Sequence, residues 1–190
     1  MGFVTGPHVL VRQFDEKTWT LEEPVVYRGR TDEFVVPEGT RTDFASVPRV
    51  FAWLVPPYGL FTAAAVLHDH LWRVLVPAGV VTPVDADGLF RRAMRELGVP
   101  FLIRWFMWGA VRWAALAGPG RRRGWLGELP RLALVTLAAL PVVTVPAVAI
   151  ALGFAVFAVL EQVAYLLLLL VRTVRPSDKQ INRPRPDLRT

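Results

Sequence analysis

Between Leu132 and Val171 the chain runs for 40 residues with one charged side chain, Glu161. As α-helix this stretch would be about 60 Å long, roughly twice the ~30 Å hydrocarbon core of a bilayer. A single straight span overshoots. Two spans of about 18–20 residues, reversing near Leu152-Gly153-Phe154, fit the length. Basic side chains bracket the run, with Arg121, Arg122, Arg123 and Arg131 before it and Arg172, Arg175 and Lys179 after it. A hairpin keeps both clusters in the cytoplasm, whereas a single span sends one across. The expected organisation is therefore a globular α+β domain over 1–118, a basic linker over 119–131, a membrane-inserted helical hairpin over 132–171 and a basic disordered tail over 172–190. The N-terminal domain and the tail are expected on the cytoplasmic side of the inner membrane. Glu161 falls near the middle of the second span, either as a packed, protonated side chain or as a contact between chains.

Composition narrows the chemistry. The chain has no cysteine, which removes disulfides, thiolate metal sites and a cysteine nucleophile. A net charge of +6 with a mean hydropathy of +0.38 places basic charge beside long apolar runs. That pairing points to a lipid bilayer and anionic phospholipids as partners, and no nucleic acid is expected. The start, MGFVTGPHVLVRQFDEK, shows no basic segment followed by an apolar core, and it lacks the Ser or Thr at position 6 of a myristoylation signal.

Residues 8–41 read as β, in apolar pieces at Val9-Leu10-Val11, Trp19-Thr20-Leu21, Val25-Val26-Tyr27 and Phe34-Val35-Val36. One small antiparallel sheet or meander is the expectation, followed by three helices. The first is the apolar run Ala63–Trp72. The second starts at Thr82 as N-cap with Pro83 and Asp85 behind it and stops at Gly98 and Pro100. The third runs from Pro100 to about Leu116. Its Arg104, Trp108 and Arg112 form an i, i+4, i+8 ridge, read either as facing water or as lying against anionic headgroups.

The first helix carries the candidate site. His68 shares a helical face with Phe61, Ala64, Ala65, Trp72 and Leu75, and Asp69 lies about 100° away beside Ala65 and Val66. A carboxylate in apolar surroundings costs several kcal/mol unless partnered, so Asp69 needs Arg73, a metal or a cleft. On the second helix Asp87 shares a face with Phe90, Met94 and Leu97, and a pair between His68 and Asp87 follows. Asp43, in Thr42-Asp43-Phe44-Ala45-Ser46-Val47-Pro48, either caps a turn or points into the same cleft. His70 lies about 200° from His68 around the helix, so the two do not share a metal easily.

Three ordered motifs resemble one uncharacterised family found in tailed-phage and prophage genomes. They are Thr42-Asp43-Phe44-Ala45-Ser46-Val47-Pro48, then His68-Asp69-x-Leu71-Trp72, then Ala86-Asp87-x-x-Phe90-x-x-Ala93-Met94. The match covers roughly residues 8–117, and the family brings no established activity. The same residues also resemble, more weakly, the His-Asp-x-x-Tyr helix of the secreted and viral phospholipases A2, which carry an Asp on a neighbouring antiparallel helix. That likeness implies His68 as general base for water, Asp69 as a calcium ligand and Asp87 as the group orienting His68; an enzyme reading adds Asp43 as a further metal ligand. Calcium is then the implied cofactor and a lipid or other ester the substrate. The alternatives are a non-enzymatic structural or interaction module, in which His68 and Asp87 form a buried polar clamp, and a Ser46–His68–Asp87 triad.

Overall fold

The computed structural model describes residues 2–174 apart from residues 5, 30, 46, 48–50 and 119–121. Ser46 and most of the tail lie outside the described residues. The order is α+β, with strands first and helices after. The strands are β1 (Gly2–Phe3), β2 (Val11–Gln13), β3 (Trp19–Leu21), β4 (Val25–Arg28), β5 (Glu33–Val36) and β6 (Arg41–Thr42).

The strands make two small antiparallel sheets, not the one expected, in the orders β1-β4-β5 and β2-β3-β6. The Glu22-Glu23-Pro24 break explains the division. Pro24 has no N–H to continue a ladder, and after it the chain leaves one sheet and enters the other. Alternation then sets the inner face: Val25 and Tyr27 of β4 and Val36 of β5 are buried, and Val25 pairs with Val36 across the ladder. The two-residue strands β1 and β6 contain no apolar run, so only their pairing partners define them.

Helix α1 (Thr62–His70) continues directly into one π-helical turn, Leu71–Leu75, closed by the Val76 N–H donating to the Leu71 carbonyl at 2.8 Å. The run Ala63–Leu67 is entirely buried, because its alanines let β4, β5 and the second helix all approach it. Helix α2 (Pro83–Glu96) starts as its sequence dictates, with Thr82 Oγ1 accepting from the Asp85 N–H at 3.2 Å and Pro83 in the first turn. It ends at Gly98, whose φ of +77° suits glycine. There the Val99 N–H reaches the Met94 carbonyl at 3.0 Å and the Gly98 N–H reaches the Arg95 carbonyl at 3.1 Å, a Schellman cap. Helix α3 (Phe101–Ala114) follows Pro100 and ends in a 3₁₀ turn, Ala115–Ala117. Leu67, Leu71 and Met94 are fully enclosed where α1 and α2 meet, each contributing about 1.5–3 kcal/mol through burial.

Helix α4 (Trp125–Val174) is a single element of 50 residues. Its first turns lie within the stretch read as a linker, and they pack on α3. Leu132 is fully buried, Trp113 Nε1 donates to Thr136 Oγ1 at 3.0 Å, and Trp125 Nε1 donates to the Arg112 carbonyl at 3.0 Å. Gly109 permits this approach, since a Cβ there would stand 3.0 Å from Val135 Cγ1. The reversal expected at Leu152-Gly153-Phe154 is absent, and the helix runs through it. One glycine among helix formers is too weak a break, and Pro130, Pro141 and Pro146 each remove a donor without ending the helix. Beyond Thr136 the apolar side chains are largely exposed: Leu137 is 65 %, Val145 70 % and Leu160 59 % exposed.

Candidate functional site

The three helices of the globular part meet at Asp87. Its side chain is 0 % exposed and accepts from three directions. His68 Nε2 of α1 lies 2.7 Å from Oδ1, Trp72 Nε1 of the π-helical turn donates to Oδ1 at 2.9 Å, and Arg112 Nη1 of α3 donates to Oδ2 at 2.8 Å. The His68–Asp87 pair expected from sequence is thus present, and Arg112 is the member that sequence reasoning missed. It does not sit on an outward ridge: its side chain is 0 % exposed. A signal for it existed, because a carboxylate on an apolar face demands a cation, and Arg112 stands one turn after the buried Trp108 on the neighbouring helix.

The hydrogen positions follow from the partners. His68 Nε2 also lies 2.8 Å from Trp72 Nε1, which is only a donor. One ring nitrogen cannot both donate to Asp87 and accept from Trp72. The carboxylate is the stronger partner, and Trp72 has the same Oδ1 as an alternative acceptor. The consistent assignment is an Nε2–H donating to Asp87, with Nδ1 as the other ring nitrogen. The His68 side chain is 12 % exposed, and its ring stacks on Phe90 with centroids 4.6 Å apart.

Asp69 and Asp43 come together one step away, around Arg73. Arg73 Nη2 lies 3.4 Å from Asp69 Oδ2 and 3.4 Å from Asp43 Oδ1, and Thr42 Oγ1 donates to Asp69 Oδ2 at 3.3 Å. Burial pushes the Asp69 carboxyl above its ordinary range; Arg73 opposes the rise and the charge of Asp43 adds to it. Phe44, next to Asp43, holds a φ of 58°, a left-handed conformation costing a non-glycine residue about 1–2 kcal/mol. The Thr42 hydroxyl accepts the Phe44 N–H at 2.9 Å and stabilises that turn. Calcium takes about six to eight oxygens. Here two carboxylates share a guanidinium, and among the described residues no group of three His, Asp or Glu side chains comes together. This donor set does not fit calcium.

His70 is the third ionisable residue of α1. It is buried on the far side from His68, against a broad cleft between α2, α3 and the start of α4, and burial lowers its pKa.

Residues 19–111 match the model of a family described as a protein of unknown function, DUF1353. The match covers just under half of the chain. Curated proteins and solved structures give no match. The DUF1353 segment contains Asp43, His68, Asp69, Trp72 and Asp87, whereas Arg112 stands one residue beyond its end and α4 lies wholly outside it.

Proposed function

We propose that this protein is a membrane-attached, non-catalytic module in which His68, Asp87 and Arg112 clamp three helices together. The observation that carries the clamp is the complete enclosure of Asp87 and Arg112, with both carboxylate oxygens occupied by protein donors. A carboxylate so saturated offers no face to a substrate. Membrane attachment is supported by α4, whose 47 residues Trp125–Val171 are apolar enough to cross a bilayer and leave none of their most apolar stretch buried in the protein. A helix of 50 residues is about 75 Å long, against a ~30 Å hydrocarbon core. In a bilayer we infer that the excess length, not the weak break at Gly153 alone, forces this continuous helix to fold back there as a hairpin, with both basic flanks on the cytoplasmic face. Alkaline carbonate extraction of membranes tests the attachment. The protein is expected in the pellet, and release to the supernatant would contradict it.

One observation favours a second reading, a hydrolase with His68 as base. Asp87 fixes the ring through Nε2, and Nδ1 is left to accept a proton from water. Vesicles of anionic phospholipid, assayed for fatty-acid release with and without calcium, separate the two. Under the clamp, no fatty acid is released and His68→Ala destabilises by about 1–3 kcal/mol. Hydrolysis abolished by His68→Ala at unchanged stability would establish the enzyme.

A further inference from the structure

The cleft between α2, α3 and the first turns of α4 has a volume of about 1220 Å³, and Arg112, bonded to Asp87 through Nη1, is part of its lining. Its lining is rich in arginine, and each of its carboxylates already has a partner. Within the cleft Glu128 is held by Arg131 at 2.8 Å; Glu33 is held by Arg28 at 2.8 Å, and Asp32 and Asp85 accept from the Thr31 and Thr82 hydroxyls at 2.7 and 2.6 Å. The arginines are not balanced in the same way. Arg91 Nε, Trp105 Nε1, and both Nε and Nη2 of Arg112 are buried donors that find no acceptor among the described residues, and all three residues line this cleft. Arg112 is the strongest of these, since its side chain is 0 % exposed and only one of its nitrogens is used by Asp87. Buried donors are normally satisfied, so a cluster of orphans of one polarity around one cavity points to a missing acceptor.

The aromatic residues hold the cations in place. The Arg91 guanidinium lies 4.1 Å from the Trp105 ring centroid, and that of Arg104 lies 5.2 Å from the Phe101 centroid. Burial, together with the nearby guanidinium groups of Arg131 and Arg95, lowers the Arg91 pKa, and the Glu128 carboxylate opposes that fall only in part. Planar guanidinium forks match the oxygens of phosphate. The position of the cleft selects the source. Arg131 on its rim immediately precedes the apolar run of α4, so a bilayer entered by that run brings its headgroups to this level.

We propose that this cleft binds the phosphate of an anionic phospholipid headgroup, gripped by Arg91 and Arg104 above the buried edge of Arg112. The proposal rests on the membrane attachment inferred above and names the lipid that the module recognises. The test is isothermal titration of the full chain in uncharged detergent with three soluble probes: dihexanoyl-phosphatidylglycerol, dihexanoyl-phosphatidylcholine and glycerol 3-phosphate. Saturable binding of the phosphatidylglycerol at one site is expected, with none for the phosphatidylcholine. Arg91→Gln and Arg104→Gln should each weaken it at least about tenfold, the size of one charge-assisted bond. Arg12→Gln, on β2 and paired with Glu22, should leave it unchanged. Equal affinity for the phosphatidylcholine, or indifference to both glutamine variants, would overturn the site. Binding of glycerol 3-phosphate as tight as the lipid's would overturn the lipid assignment. Because these probes need no bilayer, their failure is distinct from failure of attachment, which carbonate extraction reads separately.

Discussion

Replacing Arg112 with methionine removes a fully enclosed guanidinium while keeping most of its volume. Among the described residues, the buried Asp87 carboxyl then retains only His68 and Trp72 as side-chain partners. Breaking a buried ion pair costs about 3–5 kcal/mol. Two of the arginine's nitrogens are unsatisfied in the native protein, so their removal relieves part of that loss and favours the lower end, about 3 kcal/mol. For a chain of 190 residues this is a fall in melting temperature of about 6–12 °C. Thermal melts of full-length wild type and Arg112→Met in micelles, followed by near-ultraviolet circular dichroism at pH 8, measure the loss. A loss under about 1 kcal/mol would refute the reasoning. The double variant Asp87→Asn/Arg112→Met should be more stable than Arg112→Met alone.

Truncation after residue 138 should leave a domain that melts higher than truncation after residue 118, because Leu132, Trp125 and Thr136 pack on α3. Burial of Leu132 alone supports a difference of about 1.5–3 kcal/mol in denaturant titrations, and equal midpoints would show that contact to be idle. Burial depresses the His70 pKa, so the unfolded chain binds more protons below the unperturbed value of 6.5. Wild-type stability should therefore fall as pH drops through that value, and His70→Gln should flatten the fall in melting temperature between pH 7 and 5.5.

The helices were legible because their signals are local. Thr82-Pro83 and Gly98-Val99-Pro100 mark the ends of α2 through the chain's own donors and acceptors. The His68–Asp87 pair was legible because each residue interrupts an apolar face. The division into two sheets was not, since Gly2-Phe3 and Arg41-Thr42 become strands only through partners distant in sequence. Nor was the inward turn of Arg112. The ridge it forms with Arg104 and Trp108 reads as a surface stripe, and only the packing of α3 on α2 and α4 places one of those arginines inside. Similarly, 125–131 carries the charges of a linker yet forms the first turns of a helix docked on Gly109 and Trp113.

The membrane reading of α4 is tested most directly by labelling single cysteines at Leu126 and Ser177 in intact cells with an impermeant maleimide. These positions lie on either side of the apolar run, and the chain has no cysteine of its own to interfere. With both ends cytoplasmic, neither site reacts from outside, and both react once the membrane is permeabilised. Labelling of either site in intact cells would contradict the hairpin, and recovery of both labelled proteins in the soluble fraction would contradict the anchor itself.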